Sequence, residues 1–385
     1  MEGFYAQDYP FAWRPIHVIS TSYRTNHGVS KDSRPQRAKK IIFYEHFLES
    51  GIRFEGFARR KVTDKKEYWC MSRQKAGKSP RRKSKRSPAR RPRAAHRFSV
   101  KVESLNEKGE GVAYREGRKL NLPKTLPGEE VICQYHPERP RKDRLQVLKI
   151  TEASPTRVEP PCRFFEDCGG CHLQHLDYAQ QLRFKQNLIK KQLLAFPELK
   201  GIEVHPVVGM EEPFHYRNKC QLPFQQQGDE LVYGLYRSGT HEVIPIDYCL
   251  VENRDANRVA QIVREWAIQF QIPVYDERTH QGLLRHVVVR KGMFTGEVMV
   301  VLVVRQENVP HWKELLRELK ASIAGLRSFY INVNSARTNR ILGPKQMLAF
   351  GNPSITERIG AYRFRIFPET FFQINSLQTL KMLER

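Results

Sequence analysis

Three cysteines lie within ten residues of one another, in the stretch CRFFEDCGGCHLQH, and this cluster constrains the fold more than any other feature. Cys162, Cys168 and Cys171 are three of only seven cysteines in 385 residues, and two adjacent glycines separate the last two. Because glycine tolerates positive φ, the backbone can turn tightly around a bound ion there. An odd number of cysteines, concentrated in one place, is typical of a metal site in a reducing compartment and not of a disulfide framework.

The residues alone leave the kind of metal site open. A C-x2-C pair is the usual mark of zinc, which takes four ligands, and a [4Fe–4S] cluster also takes four thiolates. A redox-active C-x-x-C pair is a third alternative. Cys220 lies inside an apparent strand and is predicted to be a small buried side chain. Cys249 lies at a turn after a strand-like run, so we expect it to be the fourth ligand.

The charge of the chain indicates a polyanionic partner. The formal net charge is +25, and nucleic acid is the partner that such an excess favours. The segment from Met71 to Arg97 contains twelve lysines and arginines and no acidic residue, so it is predicted to be disordered. We therefore expect residues 1–97 to form a basic, largely disordered extension, which is an RNA-binding arm, an import signal or a solvated tail.

The apolar segments are too short to cross a membrane. The longest, from Val298 to Val304, suits a buried strand. The first residues lack the basic and apolar regions of a secretory signal. Together with the cysteine usage, these patterns predict a cytoplasmic protein that does not bind membranes.

Residues 98–157 alternate between apolar and polar side chains with a period of two. Glycine-containing turns interrupt this alternation at EKGEG, EGRK and LPGE, at a spacing that suits short antiparallel strands. We expect a small five-stranded β-barrel of the OB-like kind, which is a common platform for oligonucleotides.

Helices and strands interleave after the cysteine cluster. Asp177 is predicted to cap a helix that Pro197 ends. The sequence LLRHVVVRKGMFTGEVMVVLVV predicts a hairpin, an amphipathic helix begins at Trp312, and LRSFYINVN returns as a strand. The fold class predicted is therefore a multidomain α/β protein, with a mixed α/β domain over residues 158–360.

Five motifs, in a fixed order, resemble those of the bacterial RNA 5-methyluridine methyltransferases, which methylate C5 of uridine in ribosomal or transfer RNA. They are the cysteine cluster with HLQHLDYAQQLRFKQ, then FHYRNKCQLPF, GLLRHVVVRKG, INVNSARTNRILG and FPETFFQIN. The resemblance covers roughly residues 98–385. It implies that residues 98–157 are a TRAM domain and that residues 361–385 begin a Rossmann-like methyltransferase domain.

The resemblance also implies the cofactors and the substrate. The metal site becomes a [4Fe–4S] cluster held by Cys162, Cys168, Cys171 and Cys249. The second cofactor is S-adenosylmethionine, and the substrate is a uridine in RNA, with 23S ribosomal RNA preferred to transfer RNA.

Site residues follow from the matched motifs. Gln373 is expected to contact S-adenosylmethionine, and Phe371 to lie near a uridine that has left its stack. Arg217, Asn218 and Lys219, at the entry to a strand, are expected to contact RNA phosphate or sugar. The plain alternatives are a core position for Phe371, a helix cap for Gln373 and a turn with surface charges for the other three.

The chemistry of the family needs further residues. A cysteine thiolate adds to C6 of uracil, C5 takes the methyl group, and a carboxylate removes the C5 proton. The resemblance places that nucleophile, that base and the main cofactor loop after the segment FFQINSLQTLKMLER, so no catalytic residue is expected before Arg385. We expect a monomeric, catalytically incomplete fragment of a methyltransferase. The alternatives are a stand-alone iron–sulfur RNA-binding module and one half of a split enzyme.

Overall fold

The computed structural model describes residues 96–136 and 145–385, all of which belong to one compact unit that spans residues 85–385. Of the extension predicted over residues 1–97, only His96 and Arg97 are described, and they begin the first strand. The rest of that prediction lies outside the described residues. No helix in the described ranges combines the length and the apolarity that a bilayer span requires.

The first part of the fold is a small antiparallel β domain. Its strands are β1 (His96–Lys101), β2 (Ser104–Leu105), β3 (Gly111–Arg115), β4 (Arg118–Leu122), β5 (Glu130–Tyr135) and β6 (Leu145–Glu152). They form two three-stranded sheets, β1-β5-β6 and β2-β3-β4, around a shared apolar core. The predicted antiparallel strands are confirmed, and the described residues of this domain form six of them, one more than the five expected.

The chain passes from one of these sheets to the other between β1 and β2. Val102 N donates to Glu129 O at 2.8 Å, whereas Glu103 N donates to Val112 O at 2.8 Å. Successive residues thus bond to different sheets, which is how a strand turns a corner between packed sheets. The assignment of this β domain to the TRAM family stays a prediction.

A mixed seven-stranded sheet forms the centre of the larger domain. Its strands are β7 (Lys219–Gln227), β8 (Glu230–Tyr236), β9 (Val243–Pro245), β10 (Leu284–Lys291), β11 (Val298–Val304), β12 (Leu326–Val333) and β13 (Lys345–Gly351). Their order is β13-β12-β11-β10-β7-β8-β9. The β10–β11 hairpin is antiparallel, as predicted. Strands β11 and β12 are parallel, and α3 (Trp312–Ser322) connects them. The predicted mixed α/β character is confirmed.

Both faces of this sheet are covered, which explains its apolar central strands. Every residue of β11 is buried, and a continuous apolar run is what a strand with two covered faces requires. One face packs against α2 (Arg254–Gln269) and α3. The other face lies under the hairpin of β14 (Ile355–Ile359) and β15 (Tyr362–Ile366) and under Phe372.

Strand β7 changes partner at Pro223. From Lys219 to Pro223 it pairs with β10, and from Phe224 to Gln227 it pairs with β8. Proline cannot donate a backbone hydrogen bond, so it is tolerated where a ladder ends. This exchange leaves the start of β7 beside β10, where the predicted RNA-contact residues lie.

Two more helices begin at side-chain caps. Asp177 caps α1 (Tyr178–Leu193) by accepting from the backbone N–H groups of Ala179 and Gln180, which confirms the predicted cap. Asn375 caps α4 (Ser376–Leu383) through the N–H of Gln378.

Candidate functional site

The loop that carries the three clustered cysteines packs closely against the β8–β9 hairpin. Gly169 N donates to Tyr236 O at 3.0 Å, and a Cβ atom on Gly169 would lie 2.8 Å from that oxygen. A side chain there would displace the loop. The next residue, Gly170, donates its N–H to Cys168 Sγ at 3.3 Å. The double glycine therefore allows a close approach of the two backbones and directs an amide at one of the sulfurs. Neither glycine has the positive φ that the sequence analysis expected, and the need for glycine comes from the missing side chain instead.

The fold brings Cys249 to this loop from a distant part of the sequence. Cys168 and Cys249 are buried in one cluster, and Cys171 packs against it. Cys162 is close enough to Cys168 and Cys171 for the charges of their sulfurs to interact, and Cys171 is close enough to Cys249 for the same interaction. Cys220 instead contributes to the core between the sheet and its helices. The four predicted ligands thus share one neighbourhood, and Cys220 occupies the buried strand position predicted for it.

These thiols are not arranged in the geometry of a metal site. Across residues 96–136 and 145–385, no group of three or more histidine, cysteine, aspartate or glutamate side chains is arranged to hold a metal ion. The chemical type of the side chains suits a group bound through thiolates, since Cys168, Cys171 and Cys249 pack in one cluster and the Gly170 amide points at the Cys168 sulfur. Metal ligation by these cysteines stays a prediction.

The electrostatic environment keeps the buried thiols protonated. Burial, followed by the negative charge of Glu252, raises the pKa of Cys249 to about 12. Burial also raises the pKa of Cys168 and that of Cys171. A neutral thiol is a poor nucleophile, and a cation that binds it must displace its proton. Burial raises the pKa of Cys220 well above its ordinary value, so this thiol too is unsuited to attack a base.

Asn257 on α2 holds the turn that carries Cys249. Its Oδ1 atom accepts from Cys249 N at 2.7 Å, and its Nδ2 atom donates to Cys249 O at 3.0 Å. Sequence analysis did not single out Asn257. A signal was present, because Asn257 lies three residues before Ala260 on the apolar face of α2, where a polar side chain needs a partner.

The β domain is bonded directly to the cysteine loop. Lys124 Nζ donates to the carbonyl oxygens of Phe165, at 2.6 Å, and Glu166. Glu129 of the β domain is fully buried and pairs with Arg157 at 2.5 Å, just before the cysteine loop. The two parts of the fold therefore meet at the cysteines.

Arg217, Asn218 and Lys219 lie between the turn after Cys249 and the segment that follows β15. Arg217 N donates to Val251 O at 3.1 Å. Arg217 and Lys219 are half-buried. Burial, followed by the positive charge of Arg290, lowers the pKa of Lys219.

Asn218 is the most buried of the three, with 3% of its surface exposed. Its Nδ2 atom donates to Gln373 O at 2.7 Å and to Ser376 Oγ at 2.9 Å. Both amide hydrogens are therefore committed within the protein, and the contact joins residues 155 positions apart in the sequence. This geometry gives Asn218 a supporting contact to the segment that carries Gln373. Its contact with RNA stays a prediction.

Phe371 and Gln373 lie on the segment from Phe367 to Ser376, which we call the rim segment. Phe371 is 80% exposed, so the core alternative for it is wrong. Gln373 is exposed, and Asn375 is the residue that caps α4, so the cap alternative for Gln373 is wrong as well. Two exposed side chains on one anchored segment are available to a ligand.

Arg290 on β10 anchors the start of the rim segment. Its buried guanidinium donates from Nη1 to Phe367 O at 2.8 Å and to Pro368 O at 2.9 Å. Burial lowers the pKa of Arg290 to about 10, so the group remains charged at neutral pH. This anchor was not predicted from the sequence, because an arginine at the end of an apolar run is usually solvent-exposed.

Glu357 on β14 anchors the other end. Its fully buried carboxylate accepts four hydrogen bonds: from Met293 N at 2.7 Å, Phe294 N at 3.1 Å, Arg358 N at 2.9 Å and Ser376 Oγ at 2.6 Å. It thus joins the β10–β11 turn to the first residue of α4. Sequence analysis missed Glu357 also. The signal was its alternation with Ile355 and Ile359, which directs it inward.

The chain is similar to RNA methyltransferases along most of its described length. An uncharacterized RNA methyltransferase of Halalkalibacterium halodurans is 40% identical over 280 residues, which cover 73% of this chain and 61% of the relative. Another, from Caldanaerobacter subterraneus, is 38% identical over 285 residues, covering 74% of this chain and 62% of the relative. The chain therefore spans about three fifths of the length of these curated relatives. No family model matches it.

A solved structure is also similar. It is the tRNA (uracil-54, C5)-methyltransferase of Pyrococcus abyssi in complex with S-adenosyl-L-homocysteine, with a TM-score of 0.57 and 29% sequence identity. The match covers 74% of this chain and 63% of that one. The chain is thus similar to RNA methyltransferases over about three quarters of its own length and about three fifths of theirs.

Proposed function

We propose, from its similarity to RNA methyltransferases, that this chain is part of an S-adenosylmethionine-dependent enzyme that methylates C5 of uridine in RNA. The observation that carries the proposal is the contact from Asn218 Nδ2 to Gln373 O at 2.7 Å. This contact supports the proposal, because it joins Asn218 to the segment that carries Phe371 and Gln373.

The exposed rim side chains have the chemistry that such a site requires. Phe371 offers an aromatic face on which an unstacked uracil can stack, and such stacking is worth about 1–3 kcal/mol per base. Gln373 offers an amide donor and acceptor to the cofactor, which supplies the methyl group when bound. Arg217 and Lys219 supply positive charge for phosphates, and Asn218 holds the segment in place.

The nucleophile and the base are expected outside the described residues. A thiolate must add to C6 of uracil, and the buried thiols of Cys133, Cys220 and Cys249 are unsuited to this role. Burial raises the pKa of Cys133 to about 11 and that of Cys249 to about 12, largely because a thiolate is poorly solvated there. None of these three thiols is therefore proposed as the nucleophile.

The substrate proposed from the sequence is a uridine of 23S ribosomal RNA. Transfer RNA is the second candidate, because the solved neighbour acts on tRNA. The β domain is proposed to be a TRAM domain that binds the same RNA. The reducing cytoplasm is proposed from the cysteine usage, and the protein is proposed to be a monomer.

Deleting the gene from the source organism tests the proposed activity. Mass spectrometry of nucleosides from separated ribosomal and transfer RNA should show less 5-methyluridine in the ribosomal fraction of the deletion strain. A plasmid copy of the full gene should restore the amount. A loss confined to transfer RNA would assign that substrate instead. Unchanged 5-methyluridine in both fractions would contradict the proposal.

We also propose that Cys162, Cys168, Cys171 and Cys249 hold a [4Fe–4S] cluster, which ties the β domain to the central domain. Their shared neighbourhood and the amide directed at Cys168 Sγ support this proposal.

Anaerobic purification followed by iron and sulfide analysis tests the cluster. Wild-type protein should contain four iron atoms per chain, as the cluster formula requires. The C249S variant should lose most of this iron, and the matched C220S variant should retain it. Stoichiometric zinc without iron would overturn the cluster in favour of a zinc site.

A further inference from the structure

An exposed loop with buried polar supports lies between β12 and β13. Residues 335–340 are all exposed, whereas Asn334 before them is buried. Exposed loops are ordinarily supported by few contacts, but this one is held from below by three buried polar side chains.

Arg285 is the first of these supports. It is buried at the start of β10, where its guanidinium lies 4.3 Å from the ring centre of Tyr275. It donates to the carbonyl oxygens of Asn334 at 2.7 Å, Ala336 at 2.9 Å and Thr338 at 3.4 Å. A single planar cation thus orients alternate carbonyl groups along the first half of the loop.

Two asparagines close the second half. Asn334 Nδ2 donates to Arg340 O at 2.6 Å and to Ile341 O at 2.8 Å. Asn332 both accepts from Gly343 N at 2.7 Å and donates to Gly343 O at 3.1 Å. Gly343 lies against Val333 so closely that a Cβ atom has no room. Hydrogen bonds therefore hold the loop both where the chain leaves β12 and where it approaches β13.

The exposed side chains of this loop carry positive charge only. Arg337 and Arg340 project from it, and the sequence has no acidic residue from Ile331 to Thr356. Within the described ranges, neither arginine takes part in an ion pair. A buried scaffold that presents two uncompensated guanidinium groups is suited to an external anion.

We propose that this loop is a preformed grip for the phosphodiester backbone of the RNA substrate. The inference rests on the proposed function and adds a contact surface to it. Arginine binds phosphate oxygens in a bidentate manner, and a loop that is already ordered loses little conformational entropy on binding. Backbone contacts position an RNA without reading its sequence, so the loop orients the substrate and does not select the uridine.

The double variant R337Q/R340Q tests the grip. The probe is a fluorescently labelled RNA hairpin with a uridine in its loop, titrated with the full chain at several salt concentrations. The salt slope is the rate at which the logarithm of the binding constant falls with the logarithm of the salt concentration. Each phosphate contact to a single strand contributes about 0.7 to it, which corresponds to about fivefold in affinity near 0.1 M salt. We expect the variant to bind about 25-fold more weakly there, with a salt slope smaller by about 1.4. The loss should be equal for hairpins of different sequence.

The matched control is K313Q/R317Q, which removes the same charge from the exposed side of α3. Its affinity and salt slope should stay close to those of the wild type. Equal losses in both double variants would mean that only net charge matters, and no loss in R337Q/R340Q would remove the loop from the interface. Either result overturns the grip but leaves the proposed function standing. A wild-type chain that does not bind the hairpin would overturn both.

Arg285→Lys tests the support separately from the charges. Lysine keeps the positive charge but cannot bond three carbonyl oxygens in one plane, so the loop should loosen while Arg337 and Arg340 remain. We expect weaker RNA binding with an unchanged circular dichroism spectrum. If R285K is misfolded, R337Q/R340Q still decides the proposal, since both of its substitutions are on exposed side chains.

Discussion

The Glu357 carboxylate offers the sharpest test of how the rim segment is held. Replacing it with glutamine preserves its shape and removes its charge. In the best orientation the amide oxygen replaces Oε1 and continues to accept from Phe294 N and Arg358 N. The amide nitrogen then replaces Oε2 and faces Met293 N and the Ser376 hydroxyl.

The expected loss follows from this arrangement. The N–H of Met293 loses its acceptor, and stranding one buried donor costs about 1–3 kcal/mol. The bonds that remain are no longer assisted by charge, which weakens each by about 1 kcal/mol. Part of this loss is offset because no ionised group has to be desolvated, and no cation pairs with Glu357 among the described residues. We therefore expect E357Q to lower the free energy of unfolding by about 2 kcal/mol.

Urea unfolding followed by circular dichroism measures this change, and hydrogen exchange locates it. The amide of Met293 should exchange faster in E357Q, because it has lost its acceptor, while amides in β11 remain protected. The control is E318Q, at an exposed position of α3, where the change should be below about 0.5 kcal/mol. A stability of E357Q within that margin of the wild type, or unchanged exchange at Met293, would refute the anchoring role.

Three further outcomes are expected. Phe371→Ala should leave stability unchanged and weaken binding of the RNA hairpin by roughly tenfold, as the loss of one stacked base implies. The control Tyr362→Ala, which also removes an exposed aromatic ring, should leave the binding of the hairpin unchanged. Equal effects of the two variants would contradict a base contact. Burial, followed by the charge of Arg285, lowers the pKa of His286 to about 4. Below its ordinary pKa, this residue therefore binds fewer protons in the folded state than in the unfolded state. Its contribution should lower the free energy of unfolding by about 2 kcal/mol from pH 7 to pH 5. His286→Gln should reduce the pH dependence of urea unfolding by that amount, and an unchanged dependence would show that His286 does not titrate as its burial indicates. Cys171→Ser should lower both the iron content and the melting temperature, and unchanged values of both would count against a structural cluster.

Much of the local structure was readable from the sequence because it depends on neighbours along the chain. The helix cap at Asp177 involves only backbone groups two and three residues away. The continuous apolar run from Val298 to Val304 by itself indicates a strand that is buried on both faces. The β domain was read as antiparallel from its alternation. The corner between β1 and β2 could not be predicted, because it depends on partners in β3 and beside β5.

The arrangement of the candidate site was only partly readable. The spacing of Cys162, Cys168 and Cys171 identifies one loop, and the choice of Cys249 over Cys220 as its neighbour agrees with the fold. The anchors Arg290 and Glu357 were not found. Glu357 alternates with Ile355 and Ile359, whereas an arginine at the end of an apolar run has no local signature of burial.

The sequence by itself therefore determined which segments form strands and helices and where thiols and positive charge are concentrated, because these properties reside in residue order and composition. Only the tertiary structure decided that Asn218 supports Gln373, 155 residues away, and that Arg285 orders a loop near residue 336. The physical reason is that a buried polar group takes whichever partner the fold brings within hydrogen-bond distance, and sequence separation does not limit that choice.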